Sequence, residues 1–97
     1  MMKLHKLALA KKDLVDIWLY SAEHWGVALA DQYLDALESA FKTITLNPEI
    51  GVLCDELVSG HRKYHVKKHV IFYKTNKKTL SVVRVLNASI DHTSRMK

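Results

Sequence analysis

The spacing of the apolar residues changes once along the chain, and that change limits the folds open to it. Between residues 11 and 46 apolar side chains recur three and four positions apart, as they do on one face of a helix. From residue 61 to residue 87 apolar and polar side chains alternate, and β-branched and aromatic types are frequent. Helices followed by strands, rather than alternating with them, predict an α+β fold.

Two helices are expected, over residues 11–25 and 27–46, with Gly26 as the break between them. Asn47 ends the second helix, because the residue before a proline is pushed out of helical geometry and Pro48 follows. A connection this short makes the two helices an antiparallel hairpin.

A short first strand is expected at residues 3–9, and three further strands at 61–66, 69–75 and 80–87, with residues 52–60 irregular. The last three strands must form an antiparallel meander, since the turns between them are too short for crossovers. The helical hairpin then covers one face of the sheet. A chain of 97 residues is expected to form one domain, residues 1–97.

The two lysine turns of the meander propose a register, and the register assigns side chains to faces. The expected pairs are Arg62 with Tyr73, Tyr64 with Ile71, Tyr73 with Val82, and Ile71 with Arg84. The face expected to meet the helices holds Lys63, His65, Val70, Phe72, Val83 and Val85. The opposite face holds Arg62, Tyr64, Ile71, Tyr73, Val82, Arg84 and Leu86.

This second, mixed face is the better functional candidate. An arginine in the middle of a central strand is costly unless it is paired or exposed in a groove. Arg84 would either anchor a phosphate or carboxylate, which a guanidinium binds with two hydrogen bonds, or form a structural ion pair with Asp91 or Glu56.

Charge divides the chain into three blocks. Residues 1–12 carry +4, residues 13–56 carry −8 and residues 57–97 carry +9, with no Asp or Glu between Glu56 and Asp91. Such asymmetry predicts a surface for a polyanion or an acidic partner segment, or else a merely solvated face.

Several other features restrict the class of protein. A single cysteine, Cys54, excludes an internal disulfide and favours a reducing compartment. The N-terminus is too polar for a signal peptide, and no apolar run approaches the ~20 residues that span a bilayer. A cytoplasmic protein without membrane contact is expected, with no cofactor and no metal. Trp25 shares the apolar stripe of the first helix, which favours core packing, but its place at the hairpin tip also suits an exposed recognition residue.

Six segments, in this order and at these spacings, resemble the ParE toxins of the ParE/RelE superfamily over residues 4–92. They are residues 13–17, 25–26, 47–51, 60–64, 69–73 and 83–91. The resemblance implies a type II toxin–antitoxin system in which the toxin poisons DNA gyrase and a small ParD-like antitoxin neutralises it. RelE-like relatives use the same fold to cut mRNA on the ribosome.

The residue types present help to distinguish a gyrase inhibitor from a ribonuclease. Cleavage of RNA needs a base, an acid and positive charge on the scissile phosphate. Arg62, Tyr73 and Arg84 would be the catalytic set of a nuclease, but the basic stretch contains no carboxylate, and Asn87 stands where the superfamily often has a histidine. A gyrase-inhibiting toxin that is not an enzyme is therefore favoured. The alternatives are a RelE-like ribonuclease and a non-toxic nucleic-acid-binding module. The partner-binding residues are expected to be Arg62, Tyr64, Tyr73, Arg84, Asn87 and Asp91.

Overall fold

The computed structural model describes residues 2–54 and 60–89, and in these ranges it has two helices and five strands. In chain order they are β1 (Lys3–Lys6), α1 (Ala8–Trp25), α2 (Val27–Leu46), β2 (Val52–Leu53), β3 (Arg62–Val66), β4 (His69–Thr75) and β5 (Thr79–Asn87). The predicted α+β class and the order of the predicted elements are confirmed.

The helical hairpin forms as predicted, with one difference at its start. Gly26 has φ 92°, a backbone conformation that side chains rarely adopt, and it separates α1 from α2. α1 begins at Ala8 rather than at residue 11, because the Lys11 N–H already donates to the Leu7 carbonyl and Ala10 is fully buried. The first strand is correspondingly shorter than expected.

The sheet has the strand order β1-β5-β4-β3-β2. Strands β3, β4 and β5 form the predicted antiparallel meander, and β1 lies parallel to β5 at one edge. At the other edge, β2 pairs with β3 in a segment that was expected to be irregular. Two residues are too few to show an alternating pattern, so the sequence carries no sign of β2.

The predicted register is confirmed along β3 and at the pair of Tyr73 with Val82, but it is wrong by one residue along the rest of β5. Arg62 opposes Tyr73, Tyr64 opposes Ile71, and Tyr73 opposes Val82, as expected. Ile71, however, opposes Val85, and Arg84 opposes Phe72. The cause is an irregularity between Phe72 and Tyr73, where β5 contains one extra residue, as in a β-bulge.

The predicted faces of the sheet are reversed along β4 and at Val82, whereas Val85 meets the helices and Leu86 faces away from them as predicted. Ile71, Tyr73 and Val82 are fully buried and pack against the helices, together with Val85, which the bulge returns to this face. Val70 and Phe72, expected to meet the helices, belong instead to a second apolar cluster with Cys54 and Leu86. Both faces are apolar at their centres, so alternation alone could not decide which of them the helices cover.

Candidate functional site

Arg62 and Tyr73 lie side by side, as predicted, but both contact the loop that leaves α2. The Tyr73 hydroxyl donates to the Pro48 carbonyl at 2.8 Å and accepts the Gly51 N–H at 2.9 Å. Arg62 Nη1 donates to the Gly51 carbonyl at 2.7 Å. Tyr73 is fully buried, and burial raises the pKa of its phenol although the Gly51 N–H and the nearby Arg62 oppose the rise. These two side chains therefore hold the loop of residues 47–51 against the sheet.

Arg84 forms an ion pair, which is one of the two roles that its position in the strand allowed. Its Nε donates to Asp13 Oδ2 at 2.8 Å and its Nη2 to Asp13 Oδ1 at 2.9 Å, and these bonds raise the pKa of the guanidinium. The exposed fractions of the two side chains are only 14% and 12%. The observed partner is Asp13 of α1. The expected partners, Asp91 and Glu56, lie outside the described residues.

Asp13 also completes the edge of β5. The parallel pairing of β1 with β5 ends at Val82, and beyond it the Val85 N–H donates to Asp13 Oδ2 at 3.0 Å. The carboxylate takes the place that a strand would otherwise occupy. Asp13 and Arg84 are 71 positions apart, and no local pattern in the sequence relates them.

The remaining predicted residues are dispersed. Tyr64 is half-buried against the helix-facing core. Asn87 is exposed at the end of β5, where its Oδ1 accepts the backbone N–H of Ser89 at 2.9 Å and its hydroxyl at 2.7 Å. Asp91 lies outside the described residues. The structure therefore brings Arg62 and Tyr73 together at the end of α2 and leaves Arg84 and Asn87 at other positions along β5.

Sequence reasoning missed a groove between the helical hairpin and the β3–β4 turn, which we call the hairpin-tip groove. It is a cavity of about 460 Å³ whose lining includes Tyr20, Trp25, Tyr33, Lys68, His69 and Asn87. A second cavity of about 540 Å³ shares Trp25, Tyr33 and Lys68 and adds Leu29 and Lys67. Trp25 is 52% exposed, so core packing is the wrong interpretation of this residue. Its position at the hairpin tip was the one signal for the groove.

A tyrosine–histidine hydrogen bond lines the groove. The Tyr33 hydroxyl lies 2.6 Å from His69 Nδ1 and accepts the Lys68 N–H at 3.3 Å. Either partner can donate in the bond between Tyr33 and His69, depending on which imidazole nitrogen carries the proton. Burial lowers the pKa of His69 although the charge of Asp13 opposes this, and burial raises the pKa of Tyr33 although the Lys68 N–H opposes this. Both side chains are therefore neutral at pH 7.

The described residues contain neither a metal site nor a membrane-spanning helix. Within residues 2–54 and 60–89, no group of three or more His, Cys, Asp or Glu side chains could hold a metal ion. In the same part of the chain, no helix is both long and apolar enough to cross a membrane.

Comparison with known proteins identifies the family. The family model for the ParE toxin of the type II toxin–antitoxin system parDE matches residues 5–92. Toxin ParE1 of Mycobacterium tuberculosis H37Rv is 41% identical over 83 residues, which are 84% of this chain and 85% of that protein. Toxin ParE1 of Caulobacter vibrioides is 35% identical over 82 residues, or 84% of each chain.

Solved structures show the same fold at lower identity. The chromosomal ParDE toxin–antitoxin system of P. aeruginosa matches with a TM-score of 0.79 and 18% identity, covering 90% of this chain and 96% of that one. The E. coli DinJ–YafQ complex matches with a TM-score of 0.56 and 16% identity, covering 100% of both chains. The chain belongs to the ParE toxin family, and it is the toxin of a type II toxin–antitoxin system whose partner is an antitoxin.

Proposed function

We propose that this toxin inhibits DNA gyrase in the cytoplasm and that a ParD-like antitoxin neutralises it. Gyrase is favoured over mRNA as the target because the three residues that a nuclease would use are all bound to other parts of this protein. Tyr73 and Arg62 hold the loop of residues 47–51, and Arg84 is paired with Asp13. The protein thus acts as a binding inhibitor rather than as an enzyme.

Acid–base chemistry supports the same choice. Tyr73 is fully buried and its pKa is raised, so it is neither accessible to RNA nor available as a base. His69 borders an open groove, but its Nδ1 is hydrogen-bonded to the Tyr33 hydroxyl and is not available to a ribose hydroxyl.

The basic half of the chain carries positive charge, which would attract a target that is bound to DNA. The lysines of the two β-turns are all exposed, and between residues 60 and 89 no acidic residue offsets them. Contact with nucleic acid is compatible with this surface but is not required by the proposal. Exposed lysines of one sign raise the rate of encounter with a polyanion.

Purified toxin and gyrase give the direct test. We expect the toxin to block supercoiling of relaxed plasmid and to increase the linear DNA released when gyrase–DNA complexes are denatured. Addition of the antitoxin should reverse both effects. In parallel, mRNA from induced bacteria should show no new cuts within codons by primer extension. Cuts in mRNA with unaffected gyrase would instead establish the RelE-like ribonuclease.

A third outcome would indicate a nucleic-acid-binding module. It would consist of tight DNA or RNA binding by the isolated protein, falling steeply with salt, without gyrase inhibition or mRNA cleavage. Lys77→Glu combined with Lys78→Glu, in the exposed β4–β5 turn, should weaken gyrase inhibition if the basic surface takes part. Lys11→Glu combined with Lys42→Glu, at exposed helical positions, is the matched control with the same change of net charge.

A further inference from the structure

The hairpin-tip groove gathers exposed apolar side chains around one concave site. Trp25, Tyr20 and Leu29 are 52%, 56% and 51% exposed. Contiguous exposed apolar surface on a small protein commonly marks an interaction site. Tryptophan and tyrosine are also the residue types that most often dominate binding energy at protein interfaces.

The aromatic side chains of the groove are already held in place. The Trp25 ring meets Tyr20 edge-on at 5.7 Å between centroids, and the Lys68 ammonium lies 5.9 Å from the Trp25 ring centre. Tyr33 is fixed by its bond to His69 at 2.6 Å. Side chains ordered before binding lose less conformational entropy when a partner arrives.

The rim of the groove is basic. Lys67 and Lys68 are both exposed, and Lys67 has φ 53°, in the left-handed region where a glycine would be unstrained. A lysine in that conformation costs on the order of 1 kcal/mol, and its ammonium adds positive charge at the rim. Asp16 also borders the groove, but it is paired with Lys12 at 2.9 Å. The charge that the groove offers a partner is therefore positive.

These features fit a peptide better than a nucleic acid. Stacking of bases needs open aromatic faces. Tyr20 is already stacked on His24 at 3.9 Å, and Lys68 lies over the ring of Trp25. A cleft of about 460 Å³ accepts one or two side chains of a protein segment rather than a nucleic-acid helix.

We propose that the hairpin-tip groove is a docking site for the antitoxin. One apolar side chain of an antitoxin segment would insert between Trp25 and Tyr33, and carboxylates on either side of it would meet Lys67 and Lys68. This inference rests on the antitoxin half of the proposed function and is independent of whether gyrase is the target.

Tryptophan fluorescence tests the inference directly. The chain has two tryptophans, Trp18 and Trp25, so Trp18→Phe leaves Trp25 as the sole reporter. Titration of this variant with the antitoxin encoded beside the toxin gene should shift the Trp25 emission to shorter wavelength and protect it from iodide quenching. Unchanged emission and quenching at saturating antitoxin would overturn the proposal.

Affinity measurements on variants give the second readout. Trp25→Ala should weaken antitoxin binding by about 100-fold, as expected for a central aromatic anchor. Lys67→Gly should weaken it by about tenfold while leaving the folded protein at least as stable, because glycine suits φ 53°. Leu46→Ala, which removes an apolar side chain that is 70% exposed elsewhere, is the matched control and should not alter the affinity.

The remaining outcomes separate this inference from the proposed target. If Trp25→Ala binds the antitoxin as tightly as the wild type does, the antitoxin does not dock in the groove and the proposal is overturned, whether or not gyrase inhibition is lost. A change of Trp25 emission with a single-stranded oligonucleotide, but no shift and no protection from iodide with the antitoxin, would do the same. A toxin without any effect on gyrase would refute the target alone, since antitoxin binding is measured without gyrase.

Discussion

The carboxylate of Asp13 accepts three hydrogen bonds that join α1 to β5, two from Arg84 and one from the Val85 N–H. Removal of one member of a buried ion pair leaves the other charge without compensation. Arg84→Met should therefore lower the free energy of unfolding by about 3 kcal/mol, measured by urea denaturation. Asp13→Ala should cost more, because the Val85 N–H then also loses its partner.

The exposed pair of Lys12 and Asp16 supplies the control for this prediction. Its side chains are 71% and 57% exposed, so Lys12→Ala should change stability by less than about 0.5 kcal/mol. A loss on Arg84→Met no larger than that of Lys12→Ala would mean that the guanidinium is solvated in solution and available to a partner. That result would restore the phosphate-anchor interpretation of Arg84.

His69 predicts a dependence of stability on pH. Burial lowers the pKa of His69 in the folded protein below its unfolded value of 6.5. The unfolded chain therefore binds the proton more readily, and the stability contributed by the neutral imidazole is present above about pH 6.5 and lost as the pH falls through the folded pKa. The groups that act on His69 are the Tyr33 hydroxyl on α2, which is hydrogen-bonded to it, and the charge of Asp13 on α1.

The measurement compares thermal unfolding of the wild type and His69→Phe between about pH 5 and about pH 8. The wild type should lose more stability on acidification than the variant, since the other histidines contribute equally to both. Tyr33→Phe keeps His69 titratable and removes its hydrogen bond, so its pH dependence should resemble the wild type more than His69→Phe does. Parallel curves for all three proteins would exclude His69 as the source.

Among the elements, the loop between α2 and β2 is held by its closest approach to β4. A methyl group at Gly51 would clash with the Tyr73 hydroxyl and lie 2.9 Å from the Lys63 carbonyl oxygen. Gly51→Ala should therefore destabilise the fold by about 1–3 kcal/mol. Tyr73→Phe should cost about 1–3 kcal/mol, because it strips the Gly51 N–H and the Pro48 carbonyl of their shared partner.

A double-mutant cycle checks the geometry of this contact. Phenylalanine at position 73 removes the hydroxyl that the new methyl group would meet most closely but keeps the ring carbon at 2.8 Å and the Lys63 carbonyl oxygen at 2.9 Å. The double variant should therefore lose somewhat less stability than the two single losses added together. Additive losses would show that the Tyr73 hydroxyl does not contribute to the clash at Gly51. Gly26→Ala is a useful comparison, since nothing lies within 4 Å of its added carbon and its cost would come from φ 92° alone.

Helices and strands were predictable from the sequence wherever the apolar residues follow a regular spacing or a turn is marked by its residue types. The helical stripes, Gly26 and the lysine turns located α1, α2 and the meander, and the turn at Lys67 set the correct register of β3 on β4. The bulge of β5 opposite Phe72 and the face that the helices cover were not predictable. Both sheet faces are apolar, and which of them packs against the helices depends on the tertiary structure. Strand β2 was too short to leave any pattern.

The sequence identified residues that need a polar partner, but it did not identify the partners themselves. Position and chemistry singled out Arg84 as a residue that needs an anion, and the structure supplies one. Its partner on α1 and the contact of Tyr33 on α2 with His69 on β4 depend on how the hairpin packs on the sheet. Pairs separated by 36 and 71 positions leave no signal in a single sequence.

At the scale of the whole molecule, the charge blocks are joined in only a few places. Among the described residues, Lys6 on β1 pairs with Glu38 on α2 at 2.7 Å, Lys12 pairs with Asp16 at 2.9 Å, and Arg84 pairs with Asp13. The lysines of the two β-turns lie outside those pairs and remain exposed. Most of the positive charge on the sheet half is thus available to steer an acidic partner.

That steering predicts how the rate of antitoxin association responds to salt. Between about 50 mM and about 500 mM NaCl the association rate should fall by about tenfold or more, with a smaller change in the dissociation rate. Lys67→Glu combined with Lys68→Glu should lower the rate at low salt and flatten its dependence on salt, since these lysines form the rim of the hairpin-tip groove. Stopped-flow fluorescence of the Trp18→Phe protein measures both rates.

Lys11→Glu combined with Lys42→Glu makes the same change of net charge at exposed helical positions that do not line the groove. If the groove is the docking site, this control should keep most of the wild-type salt dependence, because a charge more than one Debye length (~10 Å at 0.1 M) from the path of approach is largely screened. Equal effects of the two double variants would show that net charge, rather than its location at the hairpin tip, drives the encounter. The comparison thus decides whether the charge asymmetry of this sequence acts at one site or over the whole surface.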